Sequence, residues 1–202
     1  MNIIKSFAIA IIILAGSIAL NAKTPGIGDD APDFTLKDSY GNEHSLSDFE
    51  GKYVVLEWIN MECPFVKKHY GAKNMQKLQE KYTGQDVIWL SICSSAEGKQ
   101  GYMDNDQINK ILMKWDGKQT AYLRDESGKV GKSYGAKTTP DMRIITPEGK
   151  IAYIGAIDSV PSTDQDDIPD AVNYVDKAMQ ALMNGNEVDP KVTQPYGCSV
   201  KY

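Results

Sequence analysis

The chain has 202 residues, of which 42% are apolar and 24% charged, a balance that suits one globular domain and excludes wholesale disorder. Lys and Arg total 22 against 27 Asp and Glu, a formal charge of -5, and with two arginines the chain is a poor match for nucleic acid. Three cysteines are too few for a disulfide scaffold and two histidines too few for a histidine metal site, so no metal or cofactor is expected.

Met1 to Lys5 carries one positive charge, Ser6 to Ala22 is uncharged with an aliphatic core, and Ala19 and Ala22 are small enough for cleavage. That core is shorter than the roughly 20 apolar residues of a spanning helix. Residues 1–22 therefore read as a signal peptide with no stable membrane anchor, residues 23–183 as one domain and residues 184–202 as a C-terminal tail. Export to the periplasm or beyond places Cys63, Cys93 and Cys198 where thiols oxidise, and an odd count leaves at least one free or paired outside the chain.

In chain order, Phe34–Leu36 and Glu43–Leu46 form a hairpin across the turn Asp38–Asn42. Tyr53–Ile59 is a buried strand. Pro64 opens a helix that Gly71 interrupts, and Met75, Leu78 and Tyr82 recur at helical spacing before Gly84. Val87–Cys93 is a second buried strand. Asp104–Trp115 is an amphipathic helix with Ile108, Ile111, Leu112 and Trp115 on one face. Thr120–Leu123 is a strand and Val130–Tyr134 a helical turn. Met142–Thr146 and Ile151–Ile154 form a hairpin. Ala171–Met183 is the last helix, with Ala171, Val175, Ala178 and Leu182 in one stripe, and the tail has no periodicity. Alternating strands and helices predict a three-layer α/β domain around a mixed sheet.

The chemistry points to Cys63. It ends a strand and precedes Pro64 at the start of a helix, where unpaired N–H groups and the positive end of the helix dipole stabilise thiolate over thiol. Lys67 and Lys68 add to this and Glu62 opposes it. A thiolate there is the nucleophile for disulfide exchange or for peroxide. Thr139-Pro140 stands before a strand and is a candidate cis peptide.

Ala31-Pro32-Asp33-Phe34-Thr35-Leu36-Lys37-Asp38, then Gly41 and His44-Ser45-Leu46-Ser47-Asp48, resembles the opening of redoxin domains, the alkyl hydroperoxide reductase/thiol-specific antioxidant branch of the thioredoxin superfamily. The strand ending in Cys63-Pro64 is similar to that superfamily's active-site junction. Thr139-Pro140 with Ile144, Ile145, Gly149 and Ile151 is similar to its cis-proline segment and closing hairpin. The resemblance covers residues 27–183. It implies a thioredoxin-like α/β fold, a central mixed sheet flanked by helices, carrying an N-terminal hairpin and a C-terminal tail. It also implies a cis Pro140 and a thiol-dependent oxidoreductase.

The departures are specific. Val66 stands where a dithiol thioredoxin has its second cysteine, and Leu56 and Asn60 stand where peroxiredoxins have proline and threonine. The peroxidatic arginine falls near Pro140, and strand alternation can aim Arg143 elsewhere. The expected catalytic set is therefore Cys63, Asn60 and Pro140, with Cys198 as the resolving thiol, within one chain or across a dimer, in a flexible tail to which Gly197 gives mobility. Pro64 and Thr139 are expected to line the substrate groove. Cys93 reads as core. His69, which shares no helical face with Cys63, reads as surface or packing, and His44 as structural. Asp164, Asp166, Asp167 and Asp170 read as a solvated loop, and Trp58, Trp89 and Trp115 as core.

The function favoured by these residues is an exported thiol peroxidase, in which Asn60 and helix N–H groups hold the peroxide oxygens. The alternatives are monothiol disulfide exchange on protein substrates and a thioredoxin-fold binding module held by a Cys63–Cys198 bridge. The partners implied are a peroxide or disulfide substrate and an external thiol reductant.

Overall fold

The computed structural model describes residues 24–202; the signal peptide expected over residues 1–22 lies outside the described residues. The N-terminal hairpin is β1 (Thr35–Asp38) and β2 (Glu43–Ser45). Its turn is fixed by Asp38, whose carboxylate accepts the N–H groups of Tyr40 and Asn42 and lies 2.9 Å from His44 Nε2. This gives His44 the structural part expected of it.

The chain continues through β3 (Val54–Trp58), α1 (Pro64–Gly71), α2 (Asn74–Thr83), β4 (Ile88–Cys93) and α3 (Asn105–Trp115). It then forms β5 (Ala121–Arg124), α4 (Lys129–Ser133), β6 (Thr138–Thr139), β7 (Asp141–Ile145), β8 (Ile151–Gly155), α5 (Tyr174–Met183) and β9 (Cys198–Ser199). The main sheet runs β2-β1-β5-β4-β3-β7-β8, with β3, β4 and β5 parallel and the other pairs antiparallel. Strands β6 and β9 form a separate antiparallel pair. This is the thioredoxin-like arrangement that the resemblance implied.

Both faces of the sheet are covered, which is why β3 is apolar on both sides apart from Glu57. Val55 and Ile59 face one core with Tyr82, Trp89, Met142, Val175 and Met179. Val54, Leu56 and Trp58 face the other with Phe34, Leu90, Ile92 and Tyr134. The stripe expected on α3 packs against the first core, Ile108 fully and Ile111, Leu112 and Trp115 in part.

Two expectations are corrected. The last helix begins at Tyr174 rather than Ala171, because Asn173 accepts the Asp176 N–H and so caps it, which an alanine side chain cannot do. The tail is laid along the fold rather than free of it. Its Thr193 N–H donates to Ile154 O at 3.0 Å, Lys191 O accepts the Ile154 N–H, and Val188 is buried. Strand β8 is a sheet edge, and an edge is satisfied by backbone without side-chain periodicity. Gly155, at φ 148, permits the approach: a Cβ there would stand 2.1 Å from Thr193 Oγ1.

One polar group breaks the apolar pattern of β3. Glu57 is fully buried and accepts hydrogen bonds from Trp89 Nε1 at 2.8 Å, Ser91 Oγ at 2.9 Å, Tyr70 Oη at 3.0 Å and Gln79 Nε2 at 3.3 Å. Burial pushes its pKa up against these donors. The carboxylate thus ties β3 to α1, α2 and β4 behind the candidate site. Glu57→Ala leaves those donors without an acceptor and is expected to cost about 3–5 kcal/mol of folding stability in a denaturant titration.

Candidate active site

The loop from β3 to α1 is set by Asn60 and Glu62. Asn60 Oδ1 accepts the Glu62 N–H at 2.9 Å, Asn60 O accepts the Cys63 N–H at 3.0 Å, and the Glu62 carboxylate accepts the Gly101 N–H at 2.6 Å. Asn60 Nδ2 points to Gln100 O at 3.4 Å. Both ends of the Asn60 amide are therefore committed to loop geometry, and the residue shapes the turn that presents Cys63.

Cys63 is the N-cap of α1, with Pro64 at its first position, and its side chain is fully buried. Its Sγ lies 2.7 Å from Cys198 Sγ and 3.1 Å from Thr139 O. Both cysteines are free thiols, and less than about 1 Å of movement separates them from the ~2.05 Å of a disulfide. Burial pushes the Cys63 pKa up, but hydrogen bonds from the Cys198 thiol, the Val66 N–H at the helix start and the Thr139 hydroxyl outweigh it, and the result is a lowered pKa. The Thr139 carbonyl works the other way, since it can bond only the protonated thiol. Burial, together with the hydrogen bond and charge of Cys63, pushes Cys198 up to about 11. Of the two thiols, Cys63 is therefore the one that ionises first, and Cys198 the one that keeps its proton longer.

Cys198 is delivered by backbone pairing. Thr139 is opposite Cys198 and Thr138 opposite Ser199 in the β6–β9 ladder, and Val200 N–H donates to Lys137 O at 3.0 Å. Further on, Ala96 N–H donates to Lys201 O at 2.8 Å, and Tyr202 Oη donates to Ala136 O at 2.7 Å. The structure gives Gly197 a task other than the expected mobility. At φ 136 its backbone lies against Thr139, and a Cβ there would stand 2.1 Å from Thr139 O. The Thr139–Pro140 bond is cis. Of the two residues expected to line a groove, Thr139 is buried under the tail and Pro64 is exposed beside it.

Other expected residues lie elsewhere. Arg143 is buried on the opposite face of the sheet, paired with Asp141 and 5.6 Å from the Trp58 ring. Leu56 faces that same side. Lys67 is exposed, and Lys68 turns away from the sulfur to donate to Val160 O at 2.9 Å. His69 is buried, with Nδ1 2.9 Å from Asn74 Nδ2 and Nε2 3.2 Å from Tyr196 Oη. Burial, outweighing the nearby Asp158 carboxylate, lowers its pKa to about 4, so the ring is neutral at physiological pH. Cys93 is core, its thiol donating to Gly101 O at 3.5 Å. Trp58 and Trp89 are fully buried and Trp115 partly so. No His, Cys, Asp or Glu cluster among the described residues is arranged to hold a metal. Sequence reasoning passed over Tyr196 and Asp158, which meet beside Cys63; the Tyr-Gly-Cys order in the tail was the available signal.

The model of the AhpC/TSA family matches residues 27–154. The thiol-disulfide oxidoreductase ResA of Bacillus subtilis (strain 168) is 26% identical over 127 residues, 63% of this chain and 65% of the relative. Peroxiredoxin Q, chloroplastic, of Oryza sativa subsp. japonica is 31% identical over 136 residues, 58% of this chain and 62% of the relative. The chain thus spans under two thirds of the length of both relatives. Among solved structures, an uncharacterized conserved protein from Geobacillus kaustophilus aligns with TM-score 0.73 and 27% identity over 88% of this chain and 92% of that one. The thioredoxin domain of a thiol-disulfide oxidoreductase from Bacteroides vulgatus aligns with TM-score 0.52 and 21% identity over 72% of this chain and 96% of that one.

Removing the Cys198 thiol takes away the strongest interaction that favours the Cys63 thiolate. Cys198→Ala is expected to raise the Cys63 pKa, leaving less thiolate at any given pH, while Cys63→Ala lets Cys198 titrate below about 11. The pH dependence of thiolate ultraviolet absorbance in each variant measures both shifts.

Proposed function

The chain belongs to the AhpC/TSA family, a family of thiol oxidoreductases, and from that membership we propose that it is an exported two-cysteine thiol oxidoreductase that exchanges disulfides with protein partners. Cys63 is the nucleophile and Cys198 the resolving thiol. The observation that carries this reading is the 2.7 Å approach of the two sulfurs, held by the pairing of Thr139 with Cys198. The tail reaches Cys63 of its own chain, so the reaction needs no second copy.

The pKa order suits two successive exchanges. The Cys63 thiolate attacks one sulfur of a partner disulfide, forms a mixed disulfide and releases the other sulfur as a thiolate. Cys63 then no longer carries charge, so the hydrogen bond and charge that held Cys198 near 11 are gone. Cys198 loses its proton more easily and attacks Cys63 Sγ. The Cys63–Cys198 disulfide forms and the second partner thiolate leaves. Partner and chain have exchanged two electrons, and an external thiol restores the reduced pair.

Peroxide reduction is the second reading, favoured by the Val66 N–H at the helix start and the similarity to peroxiredoxin Q. Three placements weigh against it. Arg143 is across the sheet, Leu56 faces away, and the Asn60 amide bonds Glu62 and Gln100 instead of the space at Cys63.

Mass spectrometry of the reduced chain, challenged separately with a model protein disulfide and with hydrogen peroxide, tests the choice. Exchange is expected to give the Cys63–Cys198 disulfide, and Cys198→Ser is expected to trap a mixed disulfide at Cys63. Gly197→Ala, which crowds Thr139 O, is expected to slow ring closure at least about tenfold. Fast sulfenic acid formation at Cys63 with sluggish mixed-disulfide formation would establish the peroxidase instead. A Cys63 inert to both leaves only a binding module.

A further inference from the structure

Any macromolecular partner that reaches Cys63 must replace what lies over it, because the side chain is fully buried and the tail residues Tyr196 to Ser199 form its cover. Those residues show what the groove accepts. Tyr196 points into a cleft between α1 and the chain after β8. Its ring meets Phe65 edge-on at 5.8 Å between centroids, and Lys68 Nζ lies 5.9 Å from its centre. Its hydroxyl donates to Asp158 Oδ1 and lies 3.2 Å from His69 Nε2.

The walls of that cleft are polar and buried. The side chains of Lys68 and His69 are 0% exposed and that of Asp158 2%. Asp158 Oδ2 receives no hydrogen bond, although Lys68 Nζ and His69 Nε2 are 3.8 and 3.9 Å away. Without the tyrosine hydroxyl, His69 Nε2 loses its hydrogen-bond partner and Asp158 Oδ1 keeps only the Val160 N–H beside an already unpartnered Oδ2. That is a costly arrangement for buried groups, so this trio selects an occupant that brings both an aromatic ring and a hydroxyl. The next position admits no side chain, since a Cβ at Gly197 would stand 2.1 Å from Thr139 O. The third position places sulfur against sulfur, and the fourth pairs with Thr138.

On the exchange reading given above, we propose that the groove over Cys63 is a recognition site for extended protein segments carrying tyrosine, glycine and cysteine in that order, and that the C-terminal tail is the chain's own copy of this ligand. Phe65, Lys68, His69 and Asp158 determine specificity through the tyrosine. Thr139 does so through the glycine, and the edge of β6 reads the backbone. A partner segment adds to β6 as a strand, with backbone bonds giving affinity and the two side-chain positions giving selection.

The test uses the full chain with Cys198→Ser and a peptide copying residues 194–202, its cysteine capped with thionitrobenzoate. The Cys63 thiolate attacks the peptide sulfur, a mixed disulfide forms, and thionitrobenzoate leaves as a coloured thiolate, being the better leaving group. Parallel peptides carry alanine or phenylalanine for the tyrosine and alanine for the glycine, and capped glutathione serves as a small probe. The resident tail competes with every probe alike, and all changes are in the peptide, so folding of the protein does not enter.

The copied sequence is expected to react at least about tenfold faster than either alanine peptide, with the phenylalanine peptide between them. Rates within about twofold for all peptides would overturn the recognition site and leave exchange standing. Glutathione reacting as fast as the copied peptide would do the same, by assigning the groove to small disulfides. No colour from any probe, glutathione included, would remove the exchange reading and the recognition site with it.

Discussion

The two-residue edge strand Thr138–Thr139 holds the site together. Its backbone groups face no neighbour in the main sheet, and an unpaired edge so close to a buried sulfur must be covered. Cys198 and Ser199 provide the cover. Because the pairing is made by backbone, it sets the register of the tail, and that register puts Cys198 opposite Thr139 and its sulfur against Cys63. Burial of Cys63, the contact of the two sulfurs and the seat of Tyr196 all follow from that one alignment.

The protonation order follows from where each sulfur sits. Cys63 is at a helix start and receives N–H and thiol hydrogen bonds, so it can hold charge despite burial. Cys198 lies on the tail without a helix behind it and faces the charge of Cys63, so its proton is retained. The two thiols are thus coupled: the lowered pKa of one goes with the raised pKa of the other. The sheet separates this chemistry from the Arg143–Asp141 pair, which is packed on Trp58 on the far face. An arginine close in sequence is remote in space because strand neighbours point to opposite faces.

Much of the scaffold was legible from local patterns. Apolar runs marked β3 and β4, spacing marked α1 to α3, and the Cys63-Pro64 junction marked the start of α1. The start of α5 differs from the expected one because the apolar stripe extends past Asn173, the residue that caps the helix. Asn60 has a residue type that suits either ligand binding or turn formation, and only the positions of Gln100 and Glu62 decide for the turn. His69 shares no helical face with Cys63, as its spacing requires, yet it is buried against Tyr196, far along the chain.

The sequence alone determined the order of elements, the family resemblance and the placing of Cys63 at a helix start, because helix starts, buried strands and turns are local consequences of residue type and spacing. The tertiary structure alone decided that Cys198 meets Cys63, that Gly197 permits a close approach rather than motion, and that Lys68, His69 and Asp158 enclose the Tyr196 hydroxyl. These contacts join residues far apart in the chain through backbone pairing and burial. Neither leaves a periodic trace in the tail, so they come into being only when the edge of β6 and the side of α1 are brought together.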